Sequence, residues 1–275
     1  MRRDKMKRGD ISRVDIRWQT SRWALCLLTL LLWLTALSTV QAASAARENV
    51  ATLVRSLGYG AGIHNFKNFV LRGREDYYDA ARNSFNLALG SLKQLENSPE
   101  LTLEDRAAVA VIKAMIDEYD SGLDRVISLR NKGWRLGDVD RSVNVNDTRA
   151  IAALAQLREK WEWSDLEQIE YQLGYGKGIH NFKNYLLRQD ERYHTLALEN
   201  FLAVESLLAN QYSNTRLDSA QRTALDQISR VSQSYRNYLA LIERFHAQQH
   251  PVRQIDLAVK INDRPALEGL AVLSP

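Results

Sequence analysis

Apolar residues recur at intervals of three and four positions in two separate parts of the chain, which is the spacing of one face of an α-helix. The first set is Leu53, Leu57, Ile63, Phe66 and Val70, and the second is Ile169, Leu173, Ile179, Phe182 and Leu186. Only 13 Gly and 4 Pro occur in 275 residues, so residues that make tight turns are scarce. The pattern therefore predicts an all-α protein with long helices.

The chain contains an internal repeat. The segment LGYGAGIHNFKNFVLR, which begins at Leu57, returns 116 residues later as LGYGKGIHNFKNYLLR from Leu173. The same offset aligns VDRSVNVNDTRAIAAL, from Val139, with IDLAVKINDRPALEGL, from Ile255. A repeat that keeps one register over this length indicates two copies of one structural unit. We therefore expect two tandem helical-bundle modules, over residues 46–160 and 161–275.

Capping signals predict several helix ends. Thr102 with Asp105 three residues later is an N-terminal capping pattern, and it predicts a helix from Leu103 to about Arg130 that Gly133 closes. Asp147 and its counterpart Asp263 are predicted N-caps of the last helix in each unit.

The segment from Ala150 to Glu170 has no Gly or Pro and keeps helical spacing. It predicts one continuous helix that ends the first module and opens the second. A long helix of this kind would join the two modules and couple them mechanically.

The first 45 residues have the pattern of a secretory signal peptide. Residues 1–22 carry eight Lys or Arg against three Asp, and an uncharged apolar run follows from Trp23 to Val40. Small residues spaced as Val40-x-Ala42 or as Ala43-x-Ala45 fit a cleavage site. We therefore expect export to the periplasm. The alternative is an uncleaved N-terminal helix that anchors the protein in the inner membrane, since the apolar run is close to the shortest length that spans a bilayer.

The leader carries the basic charge of the chain. The whole chain has a net charge of +4, residues 1–22 contribute +5, and the remainder therefore has a net charge of −1. The pI of about 9.1 consequently gives no support for a nucleic-acid partner. Cys26, the single cysteine, also lies in the leader, so the mature chain has no disulfide and no thiol chemistry.

On a helical wheel, the repeated motif has a core face of Tyr59, Ile63, Phe66 and Val70, and Gly58 and Gly62 leave a shallow groove for close approach. The opposite arc is a polar ridge that we name the motif ridge. It comprises His64, Lys67, Asn68 and Arg72, with His180, Lys183, Asn184 and Arg188 in the second copy.

The motif ridge combines a guanidinium fork, an ammonium charge and an imidazole. Such a set can hold a carboxylate or phosphate group, so we predict that these residues bind a small anionic ligand. The alternative is a polar network that only fixes helix packing, with Glu75 and Glu191 as countercharges.

Other chemistries have weaker support. A His followed by Lys three positions later also occurs in histidine phosphotransfer modules, but an export signal argues against that role. His246 and His250 have metal-ligand spacing, but the first repeat has Arg130 and Trp134 there, so a metal site is not predicted. His64 and His180 could be haem or metal ligands only if the fold brings them together. No catalytic or nucleotide-binding motif is present, so we predict a non-enzymatic protein without a cofactor.

The segments GIHNFKN at Gly62–Asn68 and Gly178–Asn184, with NDTRAIAAL and NDRPALEGL near the unit ends, resemble an extracytoplasmic helical sensor module. That module occurs in bacterial methyl-accepting chemotaxis proteins and related membrane signalling proteins. The resemblance implies a helical sensory domain. This sequence departs from the pattern because it has two modules in tandem and lacks a second membrane helix and an output domain.

The sequence therefore predicts an exported, non-enzymatic ligand-binding or sensory protein of the bacterial envelope that acts through a membrane signalling partner. The alternative is a structural or assembly protein of the periplasm in which the motif only fixes helix packing.

Overall fold

A computed structural model describes residues 41–274, which form helices and connecting loops and contain no β-strand. The all-α prediction is therefore confirmed. The first helix, α1, is described over residues 41–57. The others are α2 (Gly62–Arg72), α3 (Glu75–Glu96), α4 (Leu103–Asn131), α5 (Leu136–Ser142), α6 (Thr148–Arg158), α7 (Asp165–Leu173), α8 (Gly178–Arg188), α9 (Glu191–Tyr212), α10 (Ser219–Ala247), α11 (Val252–Ala258) and α12 (Arg264–Leu273). The leader prediction falls almost entirely outside the described residues.

The helices repeat with the offset of the sequence. The motif helices α2 and α8 start at Gly62 and Gly178, which are 116 residues apart, and α3 to α6 start at the same distance from α9 to α12. Local signals explain the boundaries. The Thr102 hydroxyl accepts from the backbone N–H of Asp105, as the capping pattern predicted, and α4 ends before Gly133.

The predicted continuous helix from Ala150 to Glu170 is wrong. The chain leaves the helical conformation after Arg158, and α7 begins at Asp165 behind a capping box in which Ser164 and Glu167 bond reciprocally. The indole N–H of Trp163 donates to the Arg158 carbonyl at 2.8 Å, which satisfies one of the carbonyls at the end of α6. Apolar spacing and the lack of Gly and Pro did not indicate a break that a serine cap and a tryptophan side chain produce.

The residues from Ala46 onward form one compact unit. Within the first repeat, α2 packs on α3, α3 on α4, and α4 on α6, and the second repeat has the same neighbours. The repeats also meet each other, because α2 packs against α8, and α5 packs against α8 and α11. The two motif helices therefore pack against each other within this unit.

The core face of the motif lies where the helical wheel placed it. Tyr59, Ile63, Phe66 and Val70 are all buried. Phe66 meets the ring of Tyr119 edge to face, with 4.8 Å between centroids. In the second repeat, Phe182 meets Tyr235 in the same way, also at 4.8 Å.

The predicted close approach occurs at Gly58. A methyl group built on Gly58 would lie 3.5 Å from the Cα of Gly174, its counterpart, so the two motif turns touch through their backbones. At Gly62 the neighbour is the ring of Phe85 on α3.

Within residues 41–274, no helix combines the length and the apolar character that crossing a bilayer requires.

Candidate functional site

The motif ridge lies inside the molecule, at the contact between the two repeats. The histidine, lysine and asparagine of each copy are buried, namely His64, Lys67, Asn68, His180, Lys183 and Asn184. Arg72 and Arg188, at the ends of the motif helices, are partly exposed. Buried charged groups require partners, and the structure supplies four aspartates that the sequence analysis did not assign to this role.

Each motif arginine pairs with an aspartate of the opposite repeat. Arg72 donates through Nε and Nη2 to the two carboxylate oxygens of Asp256, both at 3.0 Å. Arg188 donates through Nε to Asp140 at 2.9 Å. Asp140 and Asp256 are equivalent positions of the repeat, at the start of the closing segments. The two pairs are thus reciprocal, and they join the repeats across their contact.

The motif lysines break this symmetry. Lys67 lies 3.4 Å from Asp140, in its own repeat, whereas Lys183 donates to the side-chain oxygen of Asn68 at 2.9 Å. Burial lowers the pKa of Lys183 to about 8 and also lowers that of Lys67, against the raising effect of Asp140. Burial raises the pKa of Asp140, but the charges of Lys67 and Arg188 outweigh it and the net shift is downward. Asp140 therefore balances two cations.

The motif histidines also face aspartates of the opposite repeat. His64 Nε2 lies 3.4 Å from Asp263, and His180 Nε2 lies 3.5 Å from Asp147. Burial lowers the pKa of both imidazoles, to about 4 for His180, although the aspartates act in the opposite direction. Because the pKa of each imidazole is lowered, both histidines are neutral at neutral pH. Asp263 also accepts a hydrogen bond from Tyr235 at 2.7 Å.

Asp147 and Asp263 occupy the predicted N-cap positions of α6 and α12, but their side chains make no capping hydrogen bond. Asp147 instead accepts from the hydroxyl of Tyr119 at 2.9 Å. The expected countercharge Glu191 accepts from Tyr185 at 3.2 Å rather than pairing with the ridge. The signal that could have identified the real partners was the recurrence of all four aspartates at the repeat offset.

The histidines of the two copies line one small cavity, together with Gly58 and Gly174. Its volume is about 10 Å³, which is close to the space of one water molecule and far too small for a haem. Across residues 41–274, no group of three or more His, Cys, Asp or Glu side chains is arranged to hold a metal ion. His246 packs against the ring of Tyr185, with 4.9 Å between centroids.

One side of the ridge opens to solvent. We name this opening the motif groove; it has a volume of about 520 Å³ and is lined by His64, Asn68 and Arg72, with Lys260, Asn262 and Asp263 from the closing segment of the second repeat. The groove brings together three predicted site residues of the first copy. The other five predicted residues do not line it, namely Lys67, His180, Lys183, Asn184 and Arg188.

Comparison of the chain with family models, with curated proteins and with solved structures found no match. A function for this chain therefore rests on the geometry of the site.

Proposed function

We propose that this chain is an exported, non-enzymatic ligand-binding protein of the bacterial envelope, which senses a small anion and passes the signal to a membrane signalling partner. The observation that carries the proposal is the motif groove, in which His64, Asn68 and Arg72 meet Lys260 of the opposite repeat. Guanidinium, ammonium and amide donors around one opening suit a carboxylate or phosphate group. The volume of about 520 Å³ is that of a small-molecule site.

The groove is also placed to affect the contact between the repeats. Arg72 and Asp263 line the groove, and each also bonds across the repeat boundary, to Asp256 and to Tyr59 respectively. A ligand that binds Arg72 therefore changes the strength of the ion pair between Arg72 and Asp256. The ligand shifts the packing of the two repeats only if it has different affinities for two packing arrangements.

The test is thermal unfolding of the protein with a panel of small carboxylates, inorganic phosphate, amino acids and metal salts. Lys260→Glu reverses one charge on the exposed rim of the groove, and Lys113→Glu makes the same change on the exposed face of α4. We expect an anion that raises the midpoint of the wild type and of Lys113→Glu but not that of Lys260→Glu. The proposal fails if no compound raises the wild-type midpoint, or if both variants respond as the wild type does.

The second candidate is a structural or assembly role in which the motif only fixes helix packing. The ion pair of Lys67 and Asp140 favours this role. Lys67 is only 2% exposed, and its charge is balanced by Asp140 within the protein rather than by a ligand. In that case His64→Ala combined with His180→Ala lowers stability, and ligands shift neither the variant nor the wild type.

Export is tested by fractionating cells that express the full-length sequence. We expect the protein in the periplasmic fraction, with a mass that corresponds to an N-terminus at Ala43 or Ala46. A full-length chain in the membrane fraction would favour the anchored alternative.

A further inference from the structure

A second groove lies on the other side of Arg72, between the ends of α5 and α11. We name it the arginine groove. It has a volume of about 870 Å³, and its lining includes Arg130, Trp134, Arg135, Arg253 and Leu257. None of these five residues belongs to the motif ridge, and no sequence motif predicted a site here.

The arginine groove carries excess positive charge. Five arginines line it, and the two aspartates of its lining are already paired, Asp256 with Arg72 and Asp138 with Arg141. Among the ion pairs of residues 41–274, none includes the remaining three arginines, Arg130, Arg135 and Arg253. Burial, followed by the charge of Arg253, lowers the pKa of Arg130.

Arg130 is held in place rather than extended into solvent. Its Nη1 donates to the carbonyl of Val70 at 3.0 Å, and its guanidinium lies over Gly73, where any side chain would collide with it. Gly73 also has a φ of 68°, a conformation that favours glycine. A fixed donor fork needs little further ordering when it binds a planar or tetrahedral anion.

Equivalent positions of both repeats line the groove, but its arginines are not duplicated. The positions equivalent to Arg130 and Arg135 are His246 and Pro251, and the position equivalent to Arg253 is Gly137. Each of the three arginines therefore has a different residue type at the equivalent position of the other repeat. The positive charge of the groove does not result from the duplication itself.

Two large apolar side chains are exposed in the same groove. Trp134 is 47% exposed and Leu257 is 68% exposed, and both line it. Exposed apolar surface next to uncompensated charge is a feature of binding sites, and an indole offers a flat face to an apolar group.

We propose that the arginine groove binds an amphiphilic organic anion, with its phosphate or carboxylate head on Arg130, Arg135 and Arg253 and its apolar body on Trp134 and Leu257. Arg72 lines both grooves, but the anion here binds other cations, and the proposal goes beyond the function proposed above. The volume fits a small molecule, and the same chemistry is found in free alkyl phosphates and in anionic lipid headgroups.

The test is titration calorimetry of the protein, expressed from the full-length sequence, with octyl phosphate below its micellar concentration. Arg135→Gln with Arg253→Gln removes two exposed groove charges, and Arg149→Gln with Arg216→Gln removes two exposed charges elsewhere. We expect the groove variant to lose about tenfold or more in affinity, whereas the control binds as the wild type does. Equal binding by the two double variants, or no binding by the wild type, would overturn the proposal.

Further probes separate the head from the body and the two sources of the anion. Inorganic phosphate should bind more weakly than octyl phosphate, and Trp134→Ala should weaken only octyl phosphate. Octyltrimethylammonium, which has the opposite charge, should not bind, and binding equal to that of octyl phosphate would contradict the proposal.

Vesicles of phosphatidylglycerol separate the two sources of the anion. Vesicle binding that is lost in Arg135→Gln with Arg253→Gln would identify a lipid headgroup as the source. Binding of octyl phosphate without vesicle binding would identify a free anion. Lys260→Glu should leave all of these results unchanged, which separates this site from the motif groove.

Discussion

Arg188 donates to Asp140 at 2.9 Å, and this bond ties the motif helix of the second repeat to the closing segment of the first. The same carboxylate also lies 3.4 Å from Lys67, and its side chain is only 2% exposed. A single aspartate thus balances two buried or partly buried cations from different repeats. Among residues 41–274, the one cation that donates hydrogen bonds to its counterpart Asp256 is Arg72.

This difference predicts unequal effects of two equivalent substitutions. Asp140→Asn should lower the free energy of unfolding by about 3–5 kcal/mol, because Lys67 and Arg188 both lose their countercharge in a buried setting. Asp256→Asn should cost less, since one partly exposed arginine is affected. Urea denaturation of both variants measures the two losses. Equal losses would mean that Lys67 does not depend on Asp140.

The buried histidines predict loss of stability in mild acid. Burial lowers the pKa of His180 to about 4, whereas an unfolded histidine titrates near 6.5, so the unfolded chain binds more protons between these values. Stability should therefore fall as the pH is lowered from about 6.5 to about 4, by up to about 3 kcal/mol for His180. His64, whose pKa is also lowered, should add to the loss.

Urea midpoints of the wild type, His180→Gln and His250→Gln between pH 7.5 and 4.5 test this expectation. The curve of His180→Gln should be flatter than that of the wild type. His250→Gln, at a histidine outside the network, should follow the wild type. A wild-type midpoint that stays constant over this range would contradict the buried neutral state of both imidazoles.

The contact of the motif turns predicts opposite effects for two glycine substitutions. Gly58→Ala places a methyl 2.7 Å from the Val54 carbonyl and 3.5 Å from the Cα of Gly174, so it should lower stability by about 1–3 kcal/mol. Gly90→Ala, in α3, has no atom within 4 Å of the new methyl and should raise stability by about 0.5–1 kcal/mol. Thermal unfolding of both variants measures the difference. A harmless Gly58→Ala would show that the turns can separate without loss.

The break between α6 and α7 predicts the effect of removing its cap. Ser164 accepts from the backbone N–H of Glu167 at 3.3 Å, so Ser164→Ala should lower stability by about 1 kcal/mol. In a continuous helix the same change would raise stability slightly, because Ala has a higher helix propensity than Ser. Thr102→Ala, at the cap of α4, is the reference for the size of the loss. Chemical denaturation therefore decides between the broken and the continuous helix by the sign of one difference.

The sequence predicted those features that depend on local order. The helical class, the start of α4 at the Thr102 cap and the core face through Phe66 followed from spacing and capping, which act over a few residues. The partners of the motif ridge did not follow, because Asp140 and Asp256 meet Arg188 and Arg72 only when two distant segments pack. The break near Ser164 was missed for a different reason: its cap was present in the sequence, but the apolar spacing around it also fitted a helix.

The reciprocal pairing of Arg72 with Asp256 and of Arg188 with Asp140 has a consequence for half of the chain. One repeat alone contains an arginine and an aspartate at the equivalent positions, but they bond to the other repeat and not to each other. Two separate copies of a single repeat could make the same two pairs about a twofold axis, as in a homodimer. The two repeats therefore stabilise each other as the subunits of a homodimer do, although equivalent positions of the arginine groove, such as Arg135 and Pro251, carry different side chains.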